Sequence, residues 1–263
     1  MAQNEQDGTF MRKPLLALPA TLALLAGLSQ PAMAFDPAAM TDSEKTAFGI
    51  AIRDYLLSHP EVVMEAVQAL RDKEYAAQSD RDTQMIASLE DQLFDDGYSW
   101  VGGNPEGDVT IVEFMDYRCG YCRQAFSEVE ELVASDGNIR LIVKEYPILT
   151  EGSTLSSQFA IAAKLIYGDD AYKTLHDALI TMRADATPET LVDLANTLGF
   201  DGASIATRAQ SFEVSDMIGR NHDLARQLQI SGTPTFILNG TMQRGYEPLD
   251  SMRARVAALR AEG

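Results

Sequence analysis

The sequence predicts an α/β protein in which a small mixed sheet is split by a block of helices and preceded by a separate helical segment. Short β-branched and apolar runs at 108–115, 139–144 and 234–244 are typical of buried strands. Helical patterns fill residues 152–226 between the second and third runs. Helical spacing of apolar residues also marks residues 35–95.

Composition narrows the function before any motif is considered. The chain has 263 residues, 46% of them hydrophobic, which is enough for a substantial core. It carries 39 acidic against 21 basic residues, a formal net charge of −18. Phosphate backbones and anionic lipids attract clustered Lys and Arg, so the charge argues against nucleic acid and membrane surfaces as partners.

Residues 1–34 have the pattern of a secretory signal peptide. Arg12 and Lys13 precede a fourteen-residue, largely apolar run at 15–28, and small residues at 32 and 34 predict cleavage before Phe35. Met11 is an alternative start. An uncleaved membrane anchor is the other interpretation, but the run is short for a bilayer span. We expect an exported protein in an oxidising compartment.

Residues 35–95, called the stem here, are predicted to form helices with narrow apolar faces. Thr41 and Glu44 have the spacing of a capping box, and Pro60 marks a stop and restart. Apolar residues then recur at helical spacing: Phe48, Ile52, Tyr55, Leu56, Val63, Val67, Leu70, Met85, Ile86, Leu89 and Leu93. Such faces need a partner, either the catalytic domain or further copies of the stem. Residues 71–82 are compatible with an exposed helix or a hinge.

Residues 96–263 are predicted to form the catalytic domain around the only two cysteines of the chain. A strand at 108–115 leads to Cys119, which with Cys122 opens a helix extending to about residue 133, and a second strand follows at 139–144. Asn239 and Gly240 predict a hairpin turn, and 249–261 a closing helix. Helices at 152–226 would split this thioredoxin-type sheet.

The position of the cysteines favours thiol–disulfide exchange. At a helix N-terminus, unpaired N–H groups and the helix dipole stabilise a thiolate, which is the attacking form of cysteine. Cys119 is therefore predicted as the nucleophile and Cys122 as the resolving thiol. A structural disulfide is the alternative, but so small a loop gives little entropic stabilisation.

Other residues are candidates for the same site. Glu113 lies in an apolar strand six residues before Cys119 and can exchange protons with the thiols, and Lys144 at the end of the next strand can pair with it. Exposed strand-end charges are the alternative. A cis Thr233–Pro234 bond would present backbone to an extended peptide. The scattered histidines (His59, His176 and His222) and the Asp95–Asp96 pair are expected in surface, cap or solvated turn positions.

These motifs together resemble the DsbA family of bacterial periplasmic thiol:disulfide oxidoreductases. The resemblance rests on Glu113, on Cys119-Gly120-Tyr121-Cys122, on Lys144 and on residues 232–236. It implies a thioredoxin fold with an inserted helical domain, a buried Glu113–Lys144 pair, and substrate binding at Gly120, Tyr121, Thr233 and Pro234. It implies no cofactor or metal beyond the redox-active Cys119–Cys122 disulfide.

The Gly-Tyr dipeptide, the Thr-Pro loop and the stem resemble the ScsC-type branch of that family. Some members of that branch are trimers that isomerise wrong disulfides, so the resemblance implies exported substrate proteins, a membrane redox partner and an oligomer formed through the stem. Isomerase and oxidase both remain open. Two other interpretations stay open as well: a Cu(I)-binding protein using the two thiolates, and a holdase chaperone.

Overall fold

The structure is a computed structural model that describes residues 39–262, with side chains described through residue 261. The predicted signal peptide at 1–34 and its cleavage site lie outside the described residues. The chain divides into two compact units, residues 1–63 and 64–263. Within the described range, no helix has the length and apolar character that crossing a membrane requires.

The described part of the first unit is built on the helix α1, Asp42–Ser58. The predicted capping box is confirmed: the Thr41 hydroxyl accepts a hydrogen bond from the Glu44 amide, and the Glu44 carboxylate accepts one from the Thr41 amide at 2.8 Å. The helix ends at the predicted stop before Pro60, and α1 has no buried side chain. Several of its apolar residues are exposed, among them Ile50, Ile52, Tyr55 and Leu57.

The next two helices are α2, Glu61–Ser88, and α3, Glu90–Phe94. Residues 71–82 are part of continuous helix. Ile86, Leu89 and Leu93 are buried in a core cluster with the central strands of the sheet. The end of the predicted stem is thus packed as part of the sheet domain, and no packing boundary separates residue 95 from residue 96.

Five strands form one sheet in the order β1-β3-β2-β4-β5. Their bounds are β1 Trp100–Gly103, β2 Val109–Met115, β3 Ile139–Glu145, β4 Thr235–Leu238 and β5 Thr241–Arg244. Strands β2 and β3 are parallel and the other pairs are antiparallel. The predicted hairpin at Asn239 and Gly240 is confirmed between β4 and β5.

The edge strand β1 was not predicted from the sequence. The ring of Trp100 lies over the backbone of Gly102, where a Cβ atom would come within 2.0 Å of the ring. Glycine at this position lets the Trp100 ring cover the strand and pack into the core.

The remaining helices confirm the predicted α/β fold with a helical insertion. They are α4 Gly120–Asp136, α5 Glu151–Tyr167, α6 Asp169–Thr181, α7 Pro188–Thr197, α8 Gly202–Ala209, α9 Phe212–Gln227 and α10 Leu249–Glu262. Helices α5 to α9 make the insertion between β3 and β4. Thr187 caps α7, with proline in its first turn.

The two faces of the sheet bury different sets of side chains. Because side chains alternate along a strand, odd-numbered residues of β2 and β3 such as Ile111 and Leu141 pack in one cluster with α4, α5 and α6. Even-numbered residues such as Phe114 and Ile142 pack in a second cluster with the ends of α2 and α3 and part of α9. The face to which a residue belongs decides its role in the site described next.

Candidate active site

The two cysteines lie where β2 passes through a short loop into α4. Cys119 is the N-cap residue of α4, and its sulfur accepts a hydrogen bond from the Cys122 amide at 3.4 Å. Cys119 is 7% exposed and Cys122 is 1% exposed, and both are free thiols. The helix N-terminus therefore points its unpaired N–H groups at Cys119, as predicted.

The loop before Cys119 is fixed by Asp116, a residue that sequence reasoning missed. Its buried carboxylate accepts hydrogen bonds from the backbone amides of Arg118 at 2.7 Å, Ile148 at 2.8 Å and Leu149 at 3.1 Å. The Asp116 carbonyl also accepts from the Cys119 amide at 3.1 Å. One carboxylate thus ties the start of α4 to the loop after β3.

The pKa values of the two thiols are shifted in opposite directions. A hydrogen bond from the Cys122 thiol, helped by backbone amides and opposed by burial, lowers the pKa of Cys119 to about 5. Burial, together with that same hydrogen bond, raises the pKa of Cys122 far above its ordinary value. Near neutral pH, Cys119 is therefore a thiolate and Cys122 a thiol, the arrangement needed by a nucleophile and a resolving group.

The Thr233–Pro234 peptide bond is cis, as predicted, and lies against Cys119. The Cys119 sulfur lies 3.1 Å from the Thr233 carbonyl oxygen, to which only its protonated form can donate a hydrogen bond. The Thr233 hydroxyl is buried and has no hydrogen-bond partner among the described residues. Gly120 and Tyr121 are exposed beside it, and the Tyr121 ring stacks on Tyr246 with ring centres 6.3 Å apart.

The predicted Glu113–Lys144 pair is not formed. In the parallel register of β2 and β3, Glu113 is opposite Val143 and Phe114 is opposite Lys144, so the two charged side chains point to opposite faces. Lys144 is fully buried and donates to the Gln92 carbonyl at 2.8 Å and to Asp96 at 2.5 Å. Lys144 therefore anchors the segment after α2 and does not face the thiols.

Glu113 is buried on the face that carries the cysteines. Its carboxyl makes no hydrogen bond to the part of the chain that the structure describes. Burial, followed by the negative charges of Glu130, Cys119 and Glu145, raises the pKa of Glu113 to about 8. It therefore holds a proton at neutral pH and can still release it there.

A second buried carboxyl, Glu145, was not predicted. One of its oxygens accepts from the Tyr117 hydroxyl at 2.7 Å and the Tyr172 hydroxyl at 2.6 Å, and the other accepts from Ser157 at 2.7 Å. Burial raises the pKa of Glu145 to about 7, although these hydrogen bonds oppose the rise. The one sequence signal for Glu145 was its position directly after the predicted apolar strand at 139–144.

Two expectations about solvated residues are corrected. His176 is 6% exposed, and its Nδ1 lies 2.9 Å from the Tyr117 hydroxyl. Burial, with a further contribution from Lys173, lowers the pKa of His176 to about 3, so its ring is neutral. Asp96 is the buried partner of Lys144 and not a solvated turn residue. Across residues 39–262, no three or more His, Cys, Asp or Glu side chains are grouped to hold a metal ion.

Comparison with known families matches both parts of the chain. Residues 110–257, more than half of the sequence, match the DSBA-like thioredoxin domain. Residues 44–77 match the N-terminal domain of the copper resistance protein ScsC. Both matches confirm the resemblance that the motifs indicated.

Solved structures show the same fold. A thioredoxin-like oxidoreductase from Silicibacter pomeroyi is 37% identical, with a TM-score of 0.61 over 65% of this chain and 97% of that one. The thiol-disulfide exchange protein alpha-DsbA2 from Wolbachia pipientis is 26% identical, with a TM-score of 0.64 over 70% of this chain and 98% of that one.

Curated relatives of a different kind also match. The chain is 30% identical over 169 residues, 62% of its length, to a Na(+)/H(+) antiporter NhaA from Salinispora tropica, and covers 26% of that protein. It spans about a quarter of the length of the first curated relatives that it matches. The similarity of folds and the match over residues 110–257 lead to one assignment: the chain belongs to the DSBA-like thioredoxin domain family and carries an ScsC-type N-terminal domain.

Proposed function

We propose that this protein catalyses thiol–disulfide exchange on exported proteins, with Cys119 as the nucleophile and Cys122 as the resolving thiol. One observation supports the proposal above all: at one helix N-terminus, the pKa of Cys119 is lowered and the pKa of Cys122 is raised. The thiol-disulfide exchange protein of Wolbachia pipientis, which shares this fold at 26% identity, supports the same reaction class.

In the first step, the Cys119 thiolate attacks one sulfur of a substrate disulfide. A bond forms between Cys119 and that sulfur, the substrate S–S bond breaks, and the second substrate sulfur leaves as a thiolate. If Cys122 then loses its proton to an ionised Glu113, its thiolate attacks Cys119. The substrate is released as a second thiolate, and the enzyme keeps the Cys119–Cys122 disulfide.

The reverse direction uses the same groups. A substrate thiolate attacks Cys119 of the disulfide, Cys122 leaves as a thiolate, and the Glu113 carboxyl supplies its proton. A buried acid with a pKa of about 8 suits both directions. We propose that Gly120, Tyr121, Thr233 and Pro234 form the surface on which the substrate peptide lies. Gly120 and Tyr121 follow Cys119 in the sequence, and the carbonyl of Thr233, the residue before Pro234, lies against the Cys119 sulfur.

Trapping experiments test the assignment of the two thiols. Cys119→Ser should abolish reduction of insulin disulfides, because no nucleophile remains. Cys122→Ser should instead accumulate a covalent mixed disulfide with the substrate, because the resolving step is lost. If Cys119→Ser keeps the activity of the wild-type protein, the proposal is wrong.

We propose further that the protein acts as a disulfide isomerase, in an oligomer formed through α1 and the first part of α2. Supporting this are the ScsC-type match over residues 44–77 and a series of exposed apolar side chains. These include Ile52, Tyr55, Val63, Val67 and Leu70, which are 37–56% exposed. An apolar helix face of this kind is stabilised by burial against another copy.

The oligomer is best tested by point substitution, because deleting residues 35–95 would also remove core residues such as Ile86 and Leu93. Leu70→Glu places a charge on the apolar face, and Ala69→Glu is the matched control about 100° around the same helix. Leu70→Glu should lower the mass measured by sedimentation and slow refolding of scrambled ribonuclease. An unchanged mass for Leu70→Glu would rule out this interface.

We propose the bacterial periplasm as the site of action, with a membrane redox partner that resets the dithiol. The signal pattern at 1–34 and the DsbA-like family support this location. Trapping the thiols in intact cells separates the two activities. A mostly reduced Cys119–Cys122 pair indicates an isomerase served by a reductase, and a mostly oxidised pair indicates an oxidase.

A further inference from the structure

Glu113 and Glu145 lie on the same face of the sheet, on adjacent parallel strands. Met115 is the register partner of Glu145, and Val143 is the partner of Glu113, so the two acids are diagonal neighbours. A strand spacing of about 4.8 Å and a rise of about 3.3 Å per residue place their Cα atoms about 8 Å apart. At that separation inside a protein, each charge is felt by the other.

No cation within hydrogen-bond or ion-pair distance neutralises Glu145 in the described part of the chain. Its three polar partners are the hydroxyls of Tyr117, Tyr172 and Ser157, all within 2.7 Å. Hydroxyl dipoles stabilise a carboxylate but leave its net charge in place. An ionised Glu145 therefore repels a second negative charge on Glu113.

Besides Glu145, the Tyr117 hydroxyl contacts His176. Its oxygen lies 2.7 Å from Glu145 and 2.9 Å from Nδ1 of His176, and it has one proton to donate. When Glu145 is ionised, Tyr117 donates to Glu145 and His176 donates its Nδ1–H to Tyr117. When Glu145 is protonated, Tyr117 can accept from it and donate to Nδ1, which requires the Nε2–H form of the His176 ring.

The titratable and charged groups around the two carboxyls come from every element packed on them. From the loop after β2 come Asp116, Tyr117 and Cys119, and from α4 come Cys122 and Glu130. The others are Lys164 from α5, Tyr172, Lys173 and His176 from α6, and Tyr98 from the loop before β1. The cations of this set form ion pairs with other acids: Lys164 with Asp169, and Lys173 with Asp177 and with Glu130 of the same set.

We propose that Glu145 is a positioning residue for the dithiol. Glu145 acts through Glu113, by keeping the proton on the Glu113 carboxyl. This inference rests on the proposed exchange function. An ionised Glu145 disfavours the Glu113 carboxylate, so the proton stays where the departing Cys122 thiolate can take it. The product of that transfer is a Glu113 carboxylate and a Cys122 thiol. The hydrogen bond of Tyr117 reports which form Glu145 adopts.

Site-resolved carbon NMR of the Glu113 carboxyl in the reduced, full-length protein tests the proposal, titrated from about pH 5 to pH 9. In Glu145→Gln, the ionisation constant of Glu113 should rise about tenfold, because one buried negative charge is gone. Glu106→Gln, at an exposed position before β2, is the control and should change the ionisation constant of Glu113 by less than about twofold. An unmoved Glu113 titration in a folded Glu145→Gln variant overturns the proposal.

Ser157→Ala provides the test if Glu145→Gln does not fold. It removes one hydroxyl that stabilises the Glu145 carboxylate, so Glu145 is ionised less and the Glu113 pKa should fall, by less than in Glu145→Gln. Nitrogen NMR of His176 in the wild-type protein should show Nδ1–H at high pH and Nε2–H at low pH. A Glu113 titration in Ser157→Ala that matches the wild-type titration overturns the proposal, whereas a ring that keeps one tautomer throughout shows only that Tyr117 does not report the form of Glu145.

These measurements need no turnover. If the wild-type protein lacks exchange activity, the proposed function fails, while the Glu113 titration still decides whether Glu145 acts on it. If exchange is active and the titration does not move, only the inference about Glu145 fails.

Discussion

The two faces of the sheet place buried charged side chains in different surroundings. On the face with the cysteines, Glu113 and Glu145 meet other acids and hydroxyl groups. On the opposite face, Lys144 meets the Asp96 carboxylate at 2.5 Å. Burial raises the pKa of both glutamates to between about 7 and 8. Burial alone would raise the pKa of Asp96 too, but Lys144 outweighs it and lowers that pKa.

The presence or absence of a cation decides whether a buried acid exchanges protons or anchors two segments of the chain. A buried acid without a cation changes its protonation near neutral pH, which suits a thiol chemistry that moves protons. A buried acid with a cation stays ionised and holds two segments together. The dithiol lies on the first face, and the connection between α3 and the sheet lies on the second.

The largest effect should come from breaking the ion pair on the second face. Lys144→Met leaves Asp96 buried without its cation, and we expect a loss of about 3–5 kcal/mol in the free energy of unfolding, measured with urea. The double variant Lys144→Met with Asp96→Asn should recover part of this loss, because the unpaired charge is removed.

The same variant also tests the separation of the faces. The rate at which Cys119 is alkylated should follow the wild-type pH profile in Lys144→Met, with a midpoint at about pH 5. If that midpoint moves by a pH unit or more, Lys144 acts on the thiols, and the contrast between the faces does not hold.

The next effect comes from Glu113 and depends on pH. Its pKa is raised from 4.5 to about 8 on folding, so the folded state binds a proton that the unfolded state has released between these values. Stability should therefore be greatest below pH 4.5 with respect to this group, and fall as pH rises to about 8. At neutral pH, the loss is about 3 kcal/mol.

Glu113→Gln should remove most of this fall, since a neutral amide has no proton to lose. Urea unfolding of the reduced protein at several pH values between 5 and 8 measures it. The remaining slope should combine a fall from Glu145, whose pKa is also raised, with rises from Cys119 and His176, whose pKa values are lowered. A Glu113→Gln variant whose stability changes with pH just as that of the wild-type protein does would contradict the account of the first face.

The sequence predicted the parts of the site that depend on neighbours along the chain. Cys119 and Cys122 define the start of a helix within four residues, and Thr233 with Pro234 form one peptide bond. Local spacing also predicted the capping box at Thr41. Each of these features is decided by residues a few positions apart.

The parts that failed depend on strand register. Whether Glu113 and Lys144 meet is decided by the pairing of β2 with β3, and a shift of one residue would put both side chains on the same face. The hydrogen-bond network of Glu145 could not be predicted from the sequence for a related reason. Its partners at 117, 157, 172 and 176 come from a loop and two helices that only the folded insertion brings together.

The smallest effect should come from Asp185, an exposed charge that pairs with the residue before Cys119. Arg118 precedes Cys119 and lies 3.5 Å from the Asp185 carboxylate, whose side chain is 94% exposed. Water and salt screen such a pair, so Asp185→Asn should change the alkylation rate of Cys119 by less than about twofold at physiological ionic strength. Stopped-flow alkylation at low and high salt measures this change. A tenfold change would show that proximity outweighs burial in setting the reactivity of Cys119, which the contrast between the two faces of the sheet does not allow.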